Sequence, residues 1–195
     1  ATADGRVRQA DIAAYPGRVL GIFGVVGAGK SELVEAMFGL HPTTAGTIGV
    51  AGRTVNRWGP RQAIRAGIAL VPEDRLSKAL LANRSIAWNV AMPYWKSLNS
   101  RFSIGRREAK LGDEVIAELG ILAPGAHTLV EHLSGGNKQK VSIGRWLGAH
   151  AAARVFLFDE PTQGLDVGAR SGVYRLMRNL AENGASIVVA SSDLE

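Results

Sequence analysis

The stretch from Arg18 to Phe38 constrains this chain more than any other. Arg18 to Gly24 is a short apolar run suited to a buried strand. It leads directly into Gly24-Val25-Val26-Gly27-Ala28-Gly29-Lys30-Ser31, and the residues from Ser31 to Phe38 have helical spacing. Strand, glycine-rich turn and helix are the context in which the pattern G-x-x-x-x-G-K-[ST] forms a phosphate-binding loop. Glycines let the backbone wrap tightly and turn its N–H groups toward phosphate oxygens. The helix start adds partial positive charge. Lys30 is placed to reach β- and γ-phosphates, the Ser31 hydroxyl to ligate Mg²⁺, and Glu32 closes the same nucleotide-contacting run. A plain glycine-rich turn before a helix is the bland alternative, and the correct flanks weigh against it.

Two further segments narrow the reading. Arg154-Val155-Phe156-Leu157-Phe158 is β-branched and aromatic and ends in Asp159-Glu160-Pro161-Thr162. Acids at the C-terminal end of a buried strand stand at the crevice of a parallel sheet, where ligands bind. Asp159 is the natural Mg²⁺ partner, and Glu160 is placed to orient or deprotonate an attacking water. Solvated acids at a strand end are the alternative, which the phosphate loop disfavours. Leu133-Ser134-Gly135-Gly136-Asn137 precedes a helical stretch expected from Lys138 to Gly148. It is a second helix start with exposed N–H groups. One nucleotide needs one phosphate loop, so a second anion-binding terminus suggests a γ-phosphate bound in trans. The three segments together read as an ATPase whose site closes against a second, similar domain.

In this order the segments resemble the ATP-binding cassette (ABC) family, over nearly the whole chain. The nearer resemblance is to the second cassette of bacterial monosaccharide importer ATPases of the ribose, xylose, arabinose and galactose type. It rests on Gly24 to Leu33, Val71-Pro72-Glu73-Asp74-Arg75, Leu133 to Lys140, Asp159 to Arg170 and Ser191-Ser192-Asp193. The resemblance implies a RecA-like P-loop NTPase α/β fold: a parallel-sheet core, about 1–75 and 150–195, with an inserted, mainly helical subdomain, about 76–149. It also implies ATP and Mg²⁺ as cofactors. The expected partners are a second cassette, a membrane permease and, indirectly, a sugar-binding protein, with no specific nucleic acid. The implied place is the cytoplasmic face of the plasma membrane. By the same resemblance Gly24 to Ser31 is the Walker A loop, Phe158-Asp159 ends the Walker B strand, and Glu160 is the general base. Ser134 to Gly136, with Asn137, touch the partner domain's ATP, and Gly164-Leu165-Asp166 is the D-loop.

The chain departs from that pattern at three places. Glu73 stands at the position where most cassettes carry a γ-phosphate-sensing Gln, and Ser192 stands where most carry a switch His. Without an imidazole, γ-phosphate stabilisation is weaker. Residues 1–14 hold no aromatic to stack on adenine, and Tyr15 is too near Lys30 to serve as one. Lys30 and Glu160 are retained, so ATP binding is expected and hydrolysis at this domain's own site is left open. The chain also reads as a fragment truncated at both ends. Two other classes compete with this reading. A DNA-repair ABC ATPase would separate Walker A from Leu133-Ser134-Gly135-Gly136 by long coiled coils, and here the interval is short with no sustained heptads. A ribosome-acting tandem cassette fits the basic charge, and the importer-like phrases around Glu73 and Asn137 count against it. A regulatory nucleotide-binding module is favoured by Glu73 and Ser192 and opposed by Glu160.

Composition supports this frame without choosing it. At 195 residues and 46% apolar the chain can bury a core. It has no Cys, which excludes disulfides and zinc–thiolate sites. Net charge is +6 but uneven: residues 76–150 hold ten Lys/Arg against five Asp/Glu, giving +5, while residues 151–195 hold four against six, giving −2. A solvated helical face explains the basic middle, with an anionic leaflet as second reading. The spacing predicts β structure over Thr47 to Val55, a helix over Arg61 to Ala66 and a strand over Gly67 to Val71. It predicts an amphipathic helix from Arg106 to Leu119 ending at Gly120 and a helix capped by Ser85 that stops at Pro93. The chain then closes with a strand over 154–158, a helix over 168–183 and a strand over 186–190. The aromatics Trp88, Tyr94, Trp95 and Phe102 concentrate between Glu73 and Leu133; Trp88 is expected to pack the helical subdomain, and Tyr94 and Trp95 to line a groove that takes a permease helix. The histidines at 41, 127, 132 and 150 lack metal-ligand spacing and read as structural or surface residues.

Overall fold

The structure, a computed structural model, describes residues 7–54, 58–94, 105–147 and 153–193. The chain divides into two compact units. One comprises Ala1–Glu73, Ala153–Pro161 and Met177–Glu195; the other comprises Asp74–Ala152 and Thr162–Leu176. Residues 162–176 thus group with the helical unit, where the sequence reading placed them with the core.

The first unit is built on four parallel strands, β1 (Val19–Phe23), β4 (Ile68–Val71), β5 (Val155–Asp159) and β6 (Ser186–Ser191), in the order β1-β6-β5-β4. A parallel sheet covered on both faces needs apolar side chains at successive positions. β4, β5 and β6 meet this with Ile68 to Val71, Phe156 to Phe158 and Ile187 to Ala190, all buried. The Phe156 and Phe158 rings stack with centroids 6.2 Å apart, as two positions apart on one strand face requires. Helix α1 (Lys30–Phe38) packs on β4, β5 and β6, and helix α2 (Pro60–Arg65) packs on β4 and α1. Gly39 ends α1 at φ +87°, and its Cα faces Gly59 so closely that a Cβ would lie 2.5 Å from the Gly59 Cα. The short antiparallel pair β2 (Gly49–Val50) and β3 (Arg53–Thr54) turns through Ala51 and Gly52, both at positive φ.

β1 corrects the expectation of a buried strand. It lies at the sheet edge and alternates, with Val19 53% and Phe23 54% exposed. An apolar run alone does not distinguish a covered strand from one whose second face is open.

Register places the functional ends together. Phe23 lies opposite Ser191, Asp159 opposite Ala190, and Val71 opposite Phe158. The four strands therefore finish at one edge, where the loops after them begin.

The second unit is helical around one apolar cluster. It contains a π-helical turn (Arg75–Ala79), α3 (Ile86–Ala91), α4 (Arg106–Leu119), α5 (Gly135–Gly144) and the first turns of α6 (Val167–Glu182). Ile86, Val90, Leu111, Val115, Val130 and Val141 fill the cluster. Ser85 caps α3 by accepting the Trp88 N–H, and Gly120 ends α4 in the left-handed conformation, both as predicted. α5 begins three residues before the expected Lys138, because Gly135 and Gly136 form its first turn and Ser134 is its cap. Glycine's low helix propensity hides that turn from sequence reading. Residues 120–129 form a loop, pinned by the Ser85–Leu129 bridge. Trp88 is half-buried in this unit, with the Arg84 guanidinium 5.1 Å over its ring. Trp95, Phe102 and the Tyr94 ring lie outside the described residues.

Candidate nucleotide site

The loop after β1 carries the phosphate-binding pattern in the geometry the pattern requires. Gly27 and Gly29 sit at φ +82° and +87°, conformations that L side chains rarely adopt. A Cβ on Gly24 would come 3.3 Å from the Ala28 Cβ. Val25 and Val26 are exposed at the loop tip, and Glu32 lies in the first turn of α1. Lys30 is buried at the start of α1, and its Nζ donates to the carbonyls of Gly24 (2.7 Å) and Val25 (3.1 Å). The same Nζ is 3.6 Å from Glu160 Oε1.

Asp159, the last residue of β5, is 1% exposed. Its Oδ1 accepts the Ser31 hydroxyl at 2.9 Å, while Oδ2 is buried without a hydrogen-bond partner. Burial raises its pKa to about 6; the Ser31 hydroxyl opposes the rise, and the carboxylates of Glu73, Glu35 and Glu160 add to it. A buried carboxylate with one free oxygen beside a hydroxyl is a fitting pair of hard ligands for Mg²⁺. Glu73, two residues past the end of β4, thus reaches this centre through its charge. Glu160 holds φ +42°, a costly conformation for a non-glycine residue. Its N–H donates to the Ala190 carbonyl at 2.9 Å.

The second helix start that the sequence offers, at Ser134, lies in the helical unit. Ser134 Oγ accepts from the Asn137 N–H (3.4 Å) and Nδ2 (3.0 Å). Asn137 is turned inward, its Oδ1 accepting the Leu122 N–H at 3.1 Å. Ser134 and Gly135 remain exposed. A Cβ on Gly136 would lie 2.8 Å from the Ala169 Cβ, and one on Gly135 would lie 3.3 Å from Leu165. The glycines therefore serve close packing against the 164–169 segment as well as any anion. Asp166 is exposed, and its Oδ1 caps α6 by accepting the Ala169 N–H at 2.9 Å.

Several side chains in these regions escape sequence reading. Arg75 donates to Gln139 Oε1 (3.2 Å) and to the Gln163 carbonyl (3.2 and 3.3 Å), joining the turn after Glu73 to α5 and the 163–166 loop. Lys140 Nζ covers the Gly120 carbonyl at the end of α4 (2.8 Å). The His41 ring meets Glu35 at 2.7 Å, consistent with a structural histidine. Ser192, at the expected switch position, is exposed, whereas its neighbour Ser191 is buried and donates to Glu160 Oε2 at 3.2 Å. The segment Ser191-Ser192-Asp193 marks both serines, and the unbroken burial of β6 offers no alternation by which sequence could tell which of them meets Glu160. Among the described residues no group of three or more His, Cys, Asp or Glu is arranged to hold a metal.

A parallel sheet whose first strand feeds a phosphate loop, with a carboxylate ending the strand beside Ser31, defines a P-loop NTPase domain. The ABC transporter family model matches residues 7–163, and the chain belongs to that family. It is 42% identical over 192 residues to the arabinose import ATP-binding protein AraG 2 of Burkholderia thailandensis, covering 97% of this chain and 36% of the relative. It is 39% identical over 193 residues to a putative ribose/galactose/methyl galactoside import ATP-binding protein 3 of Burkholderia cenocepacia, covering 98% and 37%. Against the arabinose import ATP-binding protein AraG of Azospirillum brasilense it is 42% identical over 180 residues, covering 91% and 34%. The chain spans a little over a third of the length of the curated relatives it matches. Among the described residues no helix is long and apolar enough to cross a membrane.

Proposed function

We infer that this chain is one ABC cassette of a sugar importer, coupling ATP binding and hydrolysis to monosaccharide passage through a membrane permease. The observation that carries the reading is the convergence of Lys30, Ser31, Asp159 and Glu160 at one sheet edge. Lys30 leaves the Gly24 and Val25 carbonyls to pair with β- and γ-phosphate oxygens, and the loop N–H groups hold the rest of the phosphate chain. Ser31 and Asp159 would hold Mg²⁺, which would supply charge neutralisation of the phosphate chain. Glu160 orients and deprotonates the attacking water. Glu73 and Ser192 stand at the γ-phosphate-sensing and switch positions. Ser134, Gly135 and Gly136 complete the site of a second cassette, with Asp166 at the seam between the two and Asn137 bracing the serine. The names of the relatives support sugar import at a membrane, and their length, of which the chain spans a little over a third, supports pairing with a second cassette. They lend no support to a ribosome- or nucleic-acid-acting protein.

The test is ATP turnover by the full-length protein with its permease, comparing wild type with Lys30→Ala and Ser134→Ala. Loss of turnover in Ser134→Ala with most retained in Lys30→Ala means that this cassette chiefly completes its partner's site. Equal loss means that its own nucleotide site is required too. Wild-type turnover in both variants refutes the reading.

A further inference from the structure

We propose that Ser191, at the end of β6, is the positioning residue for Glu160. The inference rests on Glu160 acting as the base of this site. A serine hydroxyl has one proton to donate. The Ser191 Oγ accepts the Asp193 N–H at 3.1 Å, so that side of the oxygen is occupied, and its proton is directed to Glu160 Oε2 at 3.2 Å. Both residues are buried, Ser191 at 6% and Glu160 at 9% exposure, so water does not compete freely for either. The two carboxylate oxygens are thereby held from opposite sides, Oε2 by Ser191 and Oε1 by the Lys30 ammonium at 3.6 Å.

The backbone reinforces the arrangement. Asp159 is registered opposite Ala190, and the Glu160 N–H donates to the Ala190 carbonyl. Glu160 then turns through φ +42°, which directs its side chain back to the residue after Ala190. The strained conformation is held by β6, and Ser191 is the β6 side chain that rewards it. Because Asp193 N–H closes on the same hydroxyl, the turn that follows β6 is linked to the carboxylate through one oxygen. Without the hydroxyl, Oε2 loses its donor and the carboxylate is free to swing onto Lys30, which removes it from the water it must orient.

The experiment uses the full-length protein with its permease. Steady-state ATP turnover is measured for wild type, Ser191→Ala, Ser191→Thr, Glu160→Gln and the Ser191→Ala/Glu160→Gln pair, with Mg-ATP affinity read separately from a fluorescent ATP analogue. A single hydrogen bond to a charged group of this kind corresponds to roughly a tenfold to hundredfold effect on rate. Ser191→Ala is expected to lose about that much in kcat, with KM and analogue Kd within about twofold of wild type. Ser191→Thr, which keeps the hydroxyl, restores most of the rate. In the Glu160→Gln background Ser191→Ala changes the residual rate by less than about twofold. Wild-type kcat in Ser191→Ala, where Glu160→Gln is itself impaired, overturns the inference alone. The same holds if Ser191→Ala weakens analogue binding as much as turnover, or if Thr fails to rescue. Wild-type turnover in Glu160→Gln overturns the underlying reading of Glu160, and the role of Ser191 with it.

Discussion

Arg75→Ala tests how the helical unit holds helix α5. The half-buried guanidinium makes three contacts, one to Gln139 Oε1 and two to the Gln163 carbonyl. Gln139 is 1% exposed, and its Nε2 already lacks a partner. Removing Arg75 leaves both ends of a buried amide unsatisfied, and stranding one such acceptor costs about 1–3 kcal/mol. Gln163 is exposed, so water replaces Arg75 at its carbonyl and that loss is worth only about 0.5 kcal/mol. Against these stands relief of desolvation, which is the leading cause lowering the Arg75 pKa. The net expectation is a destabilisation of about 2 kcal/mol. Urea unfolding followed by tryptophan fluorescence reads it, since Trp88 and Trp146 both belong to this unit. The decisive comparison is with Gln139→Leu. Replacing the amide by an apolar group of similar size strands nothing, so the double variant should lie within about 0.5 kcal/mol of Gln139→Leu alone. An Arg75→Ala variant within about 0.5 kcal/mol of wild type refutes the reasoning. So does a double variant no more stable than Arg75→Ala.

Three further outcomes follow from the same geometry. In Mg²⁺-free protein the raised pKa of Asp159 means that the folded state binds a proton more tightly than the unfolded chain. Stability attributable to Asp159 is therefore gained as pH falls through about 6 and lost as pH rises through it. Asp159→Asn should remove that pH dependence and raise the Mg²⁺-free melting temperature at pH 7.5 by a few degrees, while abolishing any stabilisation by Mg²⁺ with ATP; thermal unfolding with and without both ligands decides it. Ser134→Ala removes the α5 cap and should cost about 1 kcal/mol, whatever it does to turnover, as measured by chemical denaturation. Gly136→Ala forces a Cβ to within 2.8 Å of Ala169 and should cost about 1–3 kcal/mol; a paired Ala169→Gly, which opens the space, should recover part of it.

The nucleotide-binding loop, the acidic strand end and the helix cap at Ser134 were all legible from residue order. Each is a local device: glycines where φ must be positive, a lysine and serine at a helix start, a carboxylate after an apolar strand. Backbone conformation and near-neighbour spacing suffice to specify such things. The family resemblance rested on the same segments and was shown by the match over residues 7–163.

Burial and partnership were decided only by packing. The apolar spelling of β1 matched that of β5, yet one strand is an open edge and the other is covered, because strand order is a long-range property. The helix start at Ser134 was legible, but not that Gly135 and Gly136 already form the first turn of α5, because glycine's propensity argues against helix and tertiary contact with the 164–169 segment overrides it. Which of two adjacent serines meets Glu160 depended on the register of β6 beside β5 and on a strained φ at Glu160. The reach of Arg75 to Gln139 and Gln163 spans 64 and 88 positions of chain. Sequence by itself determined what chemistry this chain carries and in which loops. The three-dimensional fold decided which side chains surround each charge, because the surroundings of a buried group come from strands and helices distant in sequence.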